Sequence, residues 1–336
     1  MKRFLAALCI FALAPLGAFA WGSVGHTMIN RVAAESLPAS LPAFVRTPAA
    51  IAEIAYLGPE EDRLKDAGTS WDDDNDPGHF LDLGDDGTIF GVVNLNALPT
   101  SMKAYATALA AAHTDPYRAG FVPYTIMDGW EQLRKEFALW RVDAYLAQHA
   151  TTPTARARFA RERTLRESLV LMELGTWGHF VGDGSQPLHV TVHFDGWGHY
   201  PNPNGYSESR HVHSMFETAF VTRHVTIGEV RARVPSFTEH APPALLSQRA
   251  IAARIGAYLS VSGHAVPELY TIDRSGGFER ATPQAIDFTA TQLARGAAEL
   301  RDLVALAWED SLNEGVGYPE VPVRDILNGT VAPRGE

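Results

Sequence analysis

Apolar residues recur three and four positions apart along most of this chain, the spacing of amphipathic helices. Val24, Met28, Ile29, Val32 and Ala33 predict a helix from Trp21 to about Arg46. An Ala-rich helix is expected over Thr100 to His113. A long one follows from Ile126 to His149, with Trp130, Leu133, Phe137, Trp140, Ala144 and Tyr145 on one stripe. Thr152 to Val181 continues as helix and stops at Gly182. Further helices are expected over Arg210 to Val225, Arg249 to Val261 and Pro283 to Ser311, the last with proline in its first turn. Glu60 to Asp86 reads as a polar Gly- and Asp-rich loop with His79 near its end. Thr191 to Ser207 reads as a loop of Gly, Pro, Asn and aromatic residues. Strand signals are few, and Ile89 to Val93 is the best of them. No internal repeat is present. The expected fold class is all-α: a single-domain bundle of long helices with functional loops at one end, spanning residues 21–314. A Pro-rich tail, 315–336, is expected to be loosely held.

The first twenty residues change the picture. Lys2 and Arg3 precede an apolar run from Phe4 to Leu16, and Ala18-Phe19-Ala20 is a small-x-small cleavage site. Residues 1–20 therefore read as a signal peptide cut between Ala20 and Trp21, giving a secreted or periplasmic protein without a transmembrane anchor. The single cysteine, Cys9, lies in that segment, so no disulfide is expected, and a metal cluster is a candidate staple. The net charge of −11 becomes −13 once Lys2 and Arg3 are removed. That balance argues against a broad basic surface for long nucleic acid, but suits a protein holding several divalent cations.

The chemistry concentrates in His179-Phe-Val-Gly-Asp183-Gly-Ser-Gln-Pro-Leu-His189. His179 and Asp183 are four apart and share a helix face, and a turn can fold His189 back toward them. His213-Ser-Met-Phe-Glu217 repeats the spacing. Imidazole and carboxylate are the usual zinc ligands where thiols are absent. Two such pairs with a histidine between them exceed what one ion needs, which suggests a multinuclear site with a bridging carboxylate. Trp21-Gly-Ser-Val-Gly-His26 would add a free α-amine and a histidine within about one turn of each other.

These motifs together resemble the superfamily of zinc-dependent phospholipases C and S1/P1-type single-strand nucleases. The resemblance spans residues 21 to about 220. It implies an all-α fold with three zinc ions (Zn2+) in a cleft. It also implies that Trp21, through its amine and carbonyl, and His26 hold one zinc, and that Asp183 bridges that ion to a second. His79 and His179 would complete the second zinc, and His189, His213 and Glu217 would hold the third. A further carboxylate is needed beside His79. Glu60, three residues before Arg63, is the choice, with Asp62 and Asp72 to Asp74 as alternatives. In this reading Asp183 and Glu60 are the catalytic carboxylates, the latter steering the attacking water.

The resemblance implies an exported trinuclear-zinc phosphodiester hydrolase. The Trp-Gly-x-x-Gly-His opening is nuclease-like, whereas Glu217 and the segment around it are phospholipase-like, and the Gly-Gly-Asn element common in the nucleases is absent. Phospholipase C, releasing a head group such as phosphocholine, is the first expectation. An endonuclease cutting single-stranded DNA and RNA is the alternative, and a non-catalytic zinc-binding protein the remote one. Phe194, Trp197, Tyr200 and Tyr206 are candidate substrate contacts, because aromatic faces stack bases or cage a quaternary ammonium. The expected partner is thus a phospholipid head group or single-stranded nucleic acid as substrate, with no stable macromolecular partner. His193, His199 and His211 are not expected to be ligands. The chain lacks a Gly-x-Ser-x-Gly elbow, a phosphate-cradling Gly-Lys loop and a dinucleotide fingerprint.

Overall fold

Three of the helices begin with the same dipeptide. Thr47-Pro48, Thr152-Pro153 and Thr282-Pro283 each place a threonine at the N-cap and a proline at the first helical position. The three hydroxyls accept from the amides of Ala50, Ala155 and Ala285 at 3.1, 3.1 and 3.3 Å. Each cap is worth about 1 kcal/mol, and proline there loses no helical hydrogen bond. The computed structural model describes residues 21–65, 67–238 and 246–330. The expected signal peptide, 1–20, lies outside the described residues. Among the described residues, no helix is long and apolar enough to cross a membrane.

The architecture is mostly helical, as the periodicity predicted. Helices Val122–His149 and Pro153–Asp183, 28 and 31 residues long, are joined by a three-residue turn and pack along their length as a hairpin. Helix Gly22–Glu35 lies against the second of these, against Pro48–Leu57 and against the 28-residue helix Pro283–Asp310. The core they enclose includes Trp21, Trp130, Phe137, Tyr105, Tyr124, Tyr270 and Phe216, all fully buried. Burying each such side chain contributes roughly 1.5–3 kcal/mol. The helices Gln248–His264 and Val266–Arg274 close the far side.

Four local expectations are corrected. The first helix ends at Glu35 rather than near Arg46, because Pro38 and Pro42 follow and the residue before a proline resists helical geometry. The polar segment after Glu60 is not a plain loop: it holds helices Glu60–Leu64 and Thr69–Asn75 and the 3₁₀ turn Asp76–His79. The single strand expected at Ile89–Val93 is a two-stranded hairpin, Thr88–Ile89 with Val93–Asn94, pairing Thr88 with Asn94 and Ile89 with Val93. The tail is docked rather than loose through residue 330. Its hairpin and the helix Val323–Leu327 bury Val316, Val323 and Ile326 against Ala138, Val142 and Leu146, while Arg134 and Lys135 pair with Glu314.

Candidate metal centre

The centre is built where helix Gly22–Glu35 crosses the last turns of Pro153–Asp183. Gly178 and Gly182 face the crossing. A Cβ on Gly178 would stand 2.4 Å from Asn30 Oδ1, and one on Gly182 would stand 3.0 Å from His26 Nδ1. The two backbones therefore approach to a distance that larger side chains would forbid. Asn30 Nδ2 fixes the crossing by donating to Ile54 O at 2.9 Å and to Gly175 O at 2.8 Å. His26 consequently stacks on His179 with ring centroids 3.8 Å apart.

Asp183 occupies the middle. Its Oδ1 lies 3.4 Å from His26 Nε2 and 3.6 Å from His189 Nδ1, and its Oδ2 lies 3.0 Å from His79 Nδ1 and 3.4 Å from His179 Nε2. The 3₁₀ turn Asp76–His79 brings in His79, whose Nδ1 is 3.1 Å from His179 Nε2. Asp62 on helix Glu60–Leu64 reaches within 3.6 Å of His179 Nε2. On the far side His213 Nε2 and His189 Nε2 lie 2.9 and 3.6 Å from Glu217 Oε2. Three buried groups result, each able to hold a metal ion: His26, His179 and Asp183; Asp62, His79 and His179; His189, His213 and Glu217.

The donor set fits zinc. Zinc–nitrogen and zinc–oxygen bonds of about 2.0–2.1 Å set neighbouring ligand atoms about 3.3–3.4 Å apart in a tetrahedron, which is the spacing of several of these pairs. Backbone carbonyls also fix two of the rings. His179 Nδ1 donates to Gly58 O at 2.9 Å and His189 Nδ1 to His79 O at 2.8 Å. Since a carbonyl only accepts, each Nε2 keeps its lone pair toward the cluster. Both ring nitrogens of His26, Asp183 Oδ1 and Glu217 Oε1 are buried without a well-formed hydrogen bond. Buried polar atoms left in this way are costly unless something else satisfies them.

Electrostatics hold His179, His79 and Asp183 in coordinating forms, whereas His213 and Glu217 hold each other as an ion pair in which His213 becomes a ligand only on losing its proton. Burial, helped by His26, pushes His179 well below the ordinary imidazole value, and burial with Lys65 lowers His79. Burial alone would raise Asp183, but His179 and His189 hold it well below the usual carboxylate range. In the outer pair burial opposes both charges, yet Glu217 raises His213 to about 9 and His213 lowers Glu217 to about 2.

Several expected site residues are placed differently. Glu60 is not brought to the cluster: its carboxylate pairs with Arg63 at 2.5 Å near the surface. Asp62, one of the alternatives, is the carboxylate turned inward, because helix Glu60–Leu64 presents residues two apart to different sides. Trp21 is fully buried at the start of the first helix. Its indole donates to Gly182 O and Ser185 Oγ, both at 3.0 Å, and its carbonyl accepts from Gly25 N.

A cleft of about 970 Å³ opens over His79, His189 and His213. Of the four candidate aromatic contacts, Phe194 and Tyr200 line it. Trp197 and Tyr206 do not: they are buried behind the loop, where Trp197 donates to Pro201 O and both pack on Tyr270. His193 anchors the same loop, stacked on Trp197 at 3.7 Å with Nε2 3.0 Å from Asp85 Oδ1. Sequence reasoning missed Lys65 and Arg118, which line the cleft. Lys65 Nζ sits 2.8 Å from Asp62 Oδ1; burial works against its charge, but Asp62 raises it. The three-residue spacing of Asp62 and Lys65 on one helical face was the available signal.

No protein-family model matches the chain, and no solved structure does. It is similar to a probable serine protease of Bradyrhizobium tropiciagri, 31% identical over 178 residues, which cover 47% of this chain. The matched region is 22% of that relative, so the chain spans a small part of it. This finding overturns the expectation of a phosphodiester hydrolase, whether phospholipase C or nuclease: the relative with a printed activity is described as a protease. What stands is the geometry, three buried ligand groups beside a cleft.

Proposed function

We propose that the chain is a metal-dependent hydrolase in which water, not a side chain, is the nucleophile. The observation that carries this reading is the sharing of ligands. Asp183 approaches four imidazoles, and His179 belongs to two of the three groups. Three zinc ions are the proposed complement, the number implied by the zinc-dependent superfamily that the motifs resemble. His26 with Asp183 would hold one, Asp62, His79 and His179 the next, and His189, His213 and Glu217 the third. Zinc held there would supply Lewis acidity, making water nucleophilic at neutral pH and taking up negative charge as it develops. The chain's own part is to hold His79, His179 and Asp183 deprotonated, to exclude bulk water from the buried groups, and to present the substrate from the open side. Lys65 and Arg118 face that side beside Asp76, Asp82, Asp195 and Glu208, so the cleft presents both signs of charge to a substrate.

A serine nucleophile has a specific observation in its favour, the name of the relative, and the geometry disfavours it. Among the described residues a serine hydroxyl bonds a histidine ring only at Ser260 and His264, four apart on an exposed helix surface. Ser185, beside the cluster, is fully buried and donates its proton to Gly182 O. A nucleophile needs a base within reach of its proton.

Casein, chromogenic peptides and p-nitrophenyl esters form the first substrate panel, assayed with a zinc chelator or a fluorophosphonate. Loss of hydrolysis on chelation, its return with zinc and no fluorophosphonate labelling are expected. Labelling of a serine, with activity indifferent to the chelator, would overturn the proposal.

A further inference from the structure

Gln186 is fully buried between two of the ligands of the outer group. Its Oε1 accepts the amide of Leu188 at 2.7 Å, and its Nε2 donates to Glu217 Oε2 at 3.1 Å. The orientation of this amide is not ambiguous. The Leu188 N–H can only donate, so the oxygen must face it, and the NH₂ must face the carboxylate. One end of the side chain therefore caps the 3₁₀ turn Pro187–His189 that carries His189, and the other end holds the carboxylate that His189 and His213 approach.

Glu217 needs such a hold. It sits in a π-helical stretch, Met215–Phe220, where the wider winding sets residues on angles unlike those of an α-helix. Its Oε1 has no hydrogen-bond partner, and the hydrogen bonds that fix the group fall on Oε2. Gln186 Nε2 thus donates to the same oxygen, Oε2, that His213 Nε2 and His189 Nε2 approach at 2.9 and 3.6 Å, and so fixes the carboxylate where the two imidazoles meet it.

We infer that Gln186 is a positioning residue that assembles the outer metal group, setting His189 through the turn and Glu217 through its carboxylate. The inference rests on the metal-centre reading above. It gives the outer group its own control: neither hydrogen bond of this amide reaches His26, Asp62, His79, His179 or Asp183, the ligands of the other two groups. Partners outside the coordination sphere typically change metal affinity about 10- to 100-fold.

The test is stepwise zinc release from the loaded chain to a competing chromogenic chelator at pH 8, for wild type, Gln186→Glu and Gln186→Met. Gln186→Glu keeps an acceptor for Leu188 N but sets an oxygen against Glu217. It is expected to weaken one of three ions about 10- to 100-fold and leave the other two unchanged. Gln186→Met removes both bonds and is expected to weaken the same ion, with a lower melting temperature. Equal weakening of all three ions would mark general damage and overturn the inference, as would three ions of unchanged affinity in both variants. A wild-type chain that took up no zinc would overturn the metal-centre reading itself, and the inference with it.

Discussion

Asn30 Oδ1 lies 2.4 Å from the point at which Gly178 would carry a Cβ. That contact sets the distance between the two helices bearing His26 on one side and His179 and Asp183 on the other. Gly178→Ala forces the helices apart or expels Asn30 from its bonds to Ile54 O and Gly175 O. Overpacking of this kind costs about 1–3 kcal/mol. Urea unfolding should show that loss, and zinc stoichiometry should fall with it. A variant as stable as wild type with full zinc would show that the crossing tolerates more than the geometry allows.

Asp183→Asn should be the most damaging single change at the centre. The carboxylate approaches His26, His79, His179 and His189, and an amide offers one neutral oxygen in its place. Partners beyond the ligands already change affinity about 10- to 100-fold, so losing a shared ligand should exceed about 100-fold in zinc affinity and in turnover. Atomic absorption on the dialysed variant, beside the hydrolysis assay, is the measurement.

The two neighbouring carboxylates should separate cleanly. Asp62→Asn removes the buried member of a ligand group and should lower zinc content. Glu60→Gln breaks a surface pair with Arg63, and such pairs contribute about 0–1 kcal/mol. Zinc content and turnover should be unchanged in Glu60→Gln. A reversed result would return Glu60 to the ligand set.

Asp82 makes stability depend on pH in a stated direction. It is buried in the cleft wall, and burial pushes it up to about 7, with Arg118 pulling the other way. A folded-state value above the unfolded value of 3.8 favours the protonated form in the fold. The stabilisation is fully present below about pH 4 and is lost as pH rises through about 7, a change of at most about 4 kcal/mol. Asp82→Asn should therefore be more stable than wild type at pH 8, with the gap closing toward pH 4. Urea unfolding across that range is the check; parallel curves would place Asp82 in an ordinary solvated state.

The helices were legible because their evidence is local. Periodic apolar positions, Thr-Pro starts and Gly or Pro stops act within one or two turns, so Val122–His149, Pro153–Asp183 and Pro283–Asp310 fall close to the predicted spans. The four-residue spacings of His179 with Asp183 and His213 with Glu217 are local in the same sense, although Glu217 sits in a π-helical stretch and His213 in the α-helical turn before it. The loop after Thr191 could be recognised as aromatic, but not which rings would face the cleft. Phe194 and Tyr200 do, while Trp197 and Tyr206 are drawn into the core by Tyr270.

By itself, the sequence determined the helical class, the ends of the longest helices and the pairing of histidine with carboxylate on one face. All of these follow from bonds and spacings within a single segment. Only the tertiary structure decided that Asp62 rather than Glu60 turns inward, that Gly178 lets His26 reach His179, and that Gln186 spans His189 and Glu217. Each of these choices depends on atoms far apart in the chain, and a buried polar group takes its place from the partners that packing brings to it.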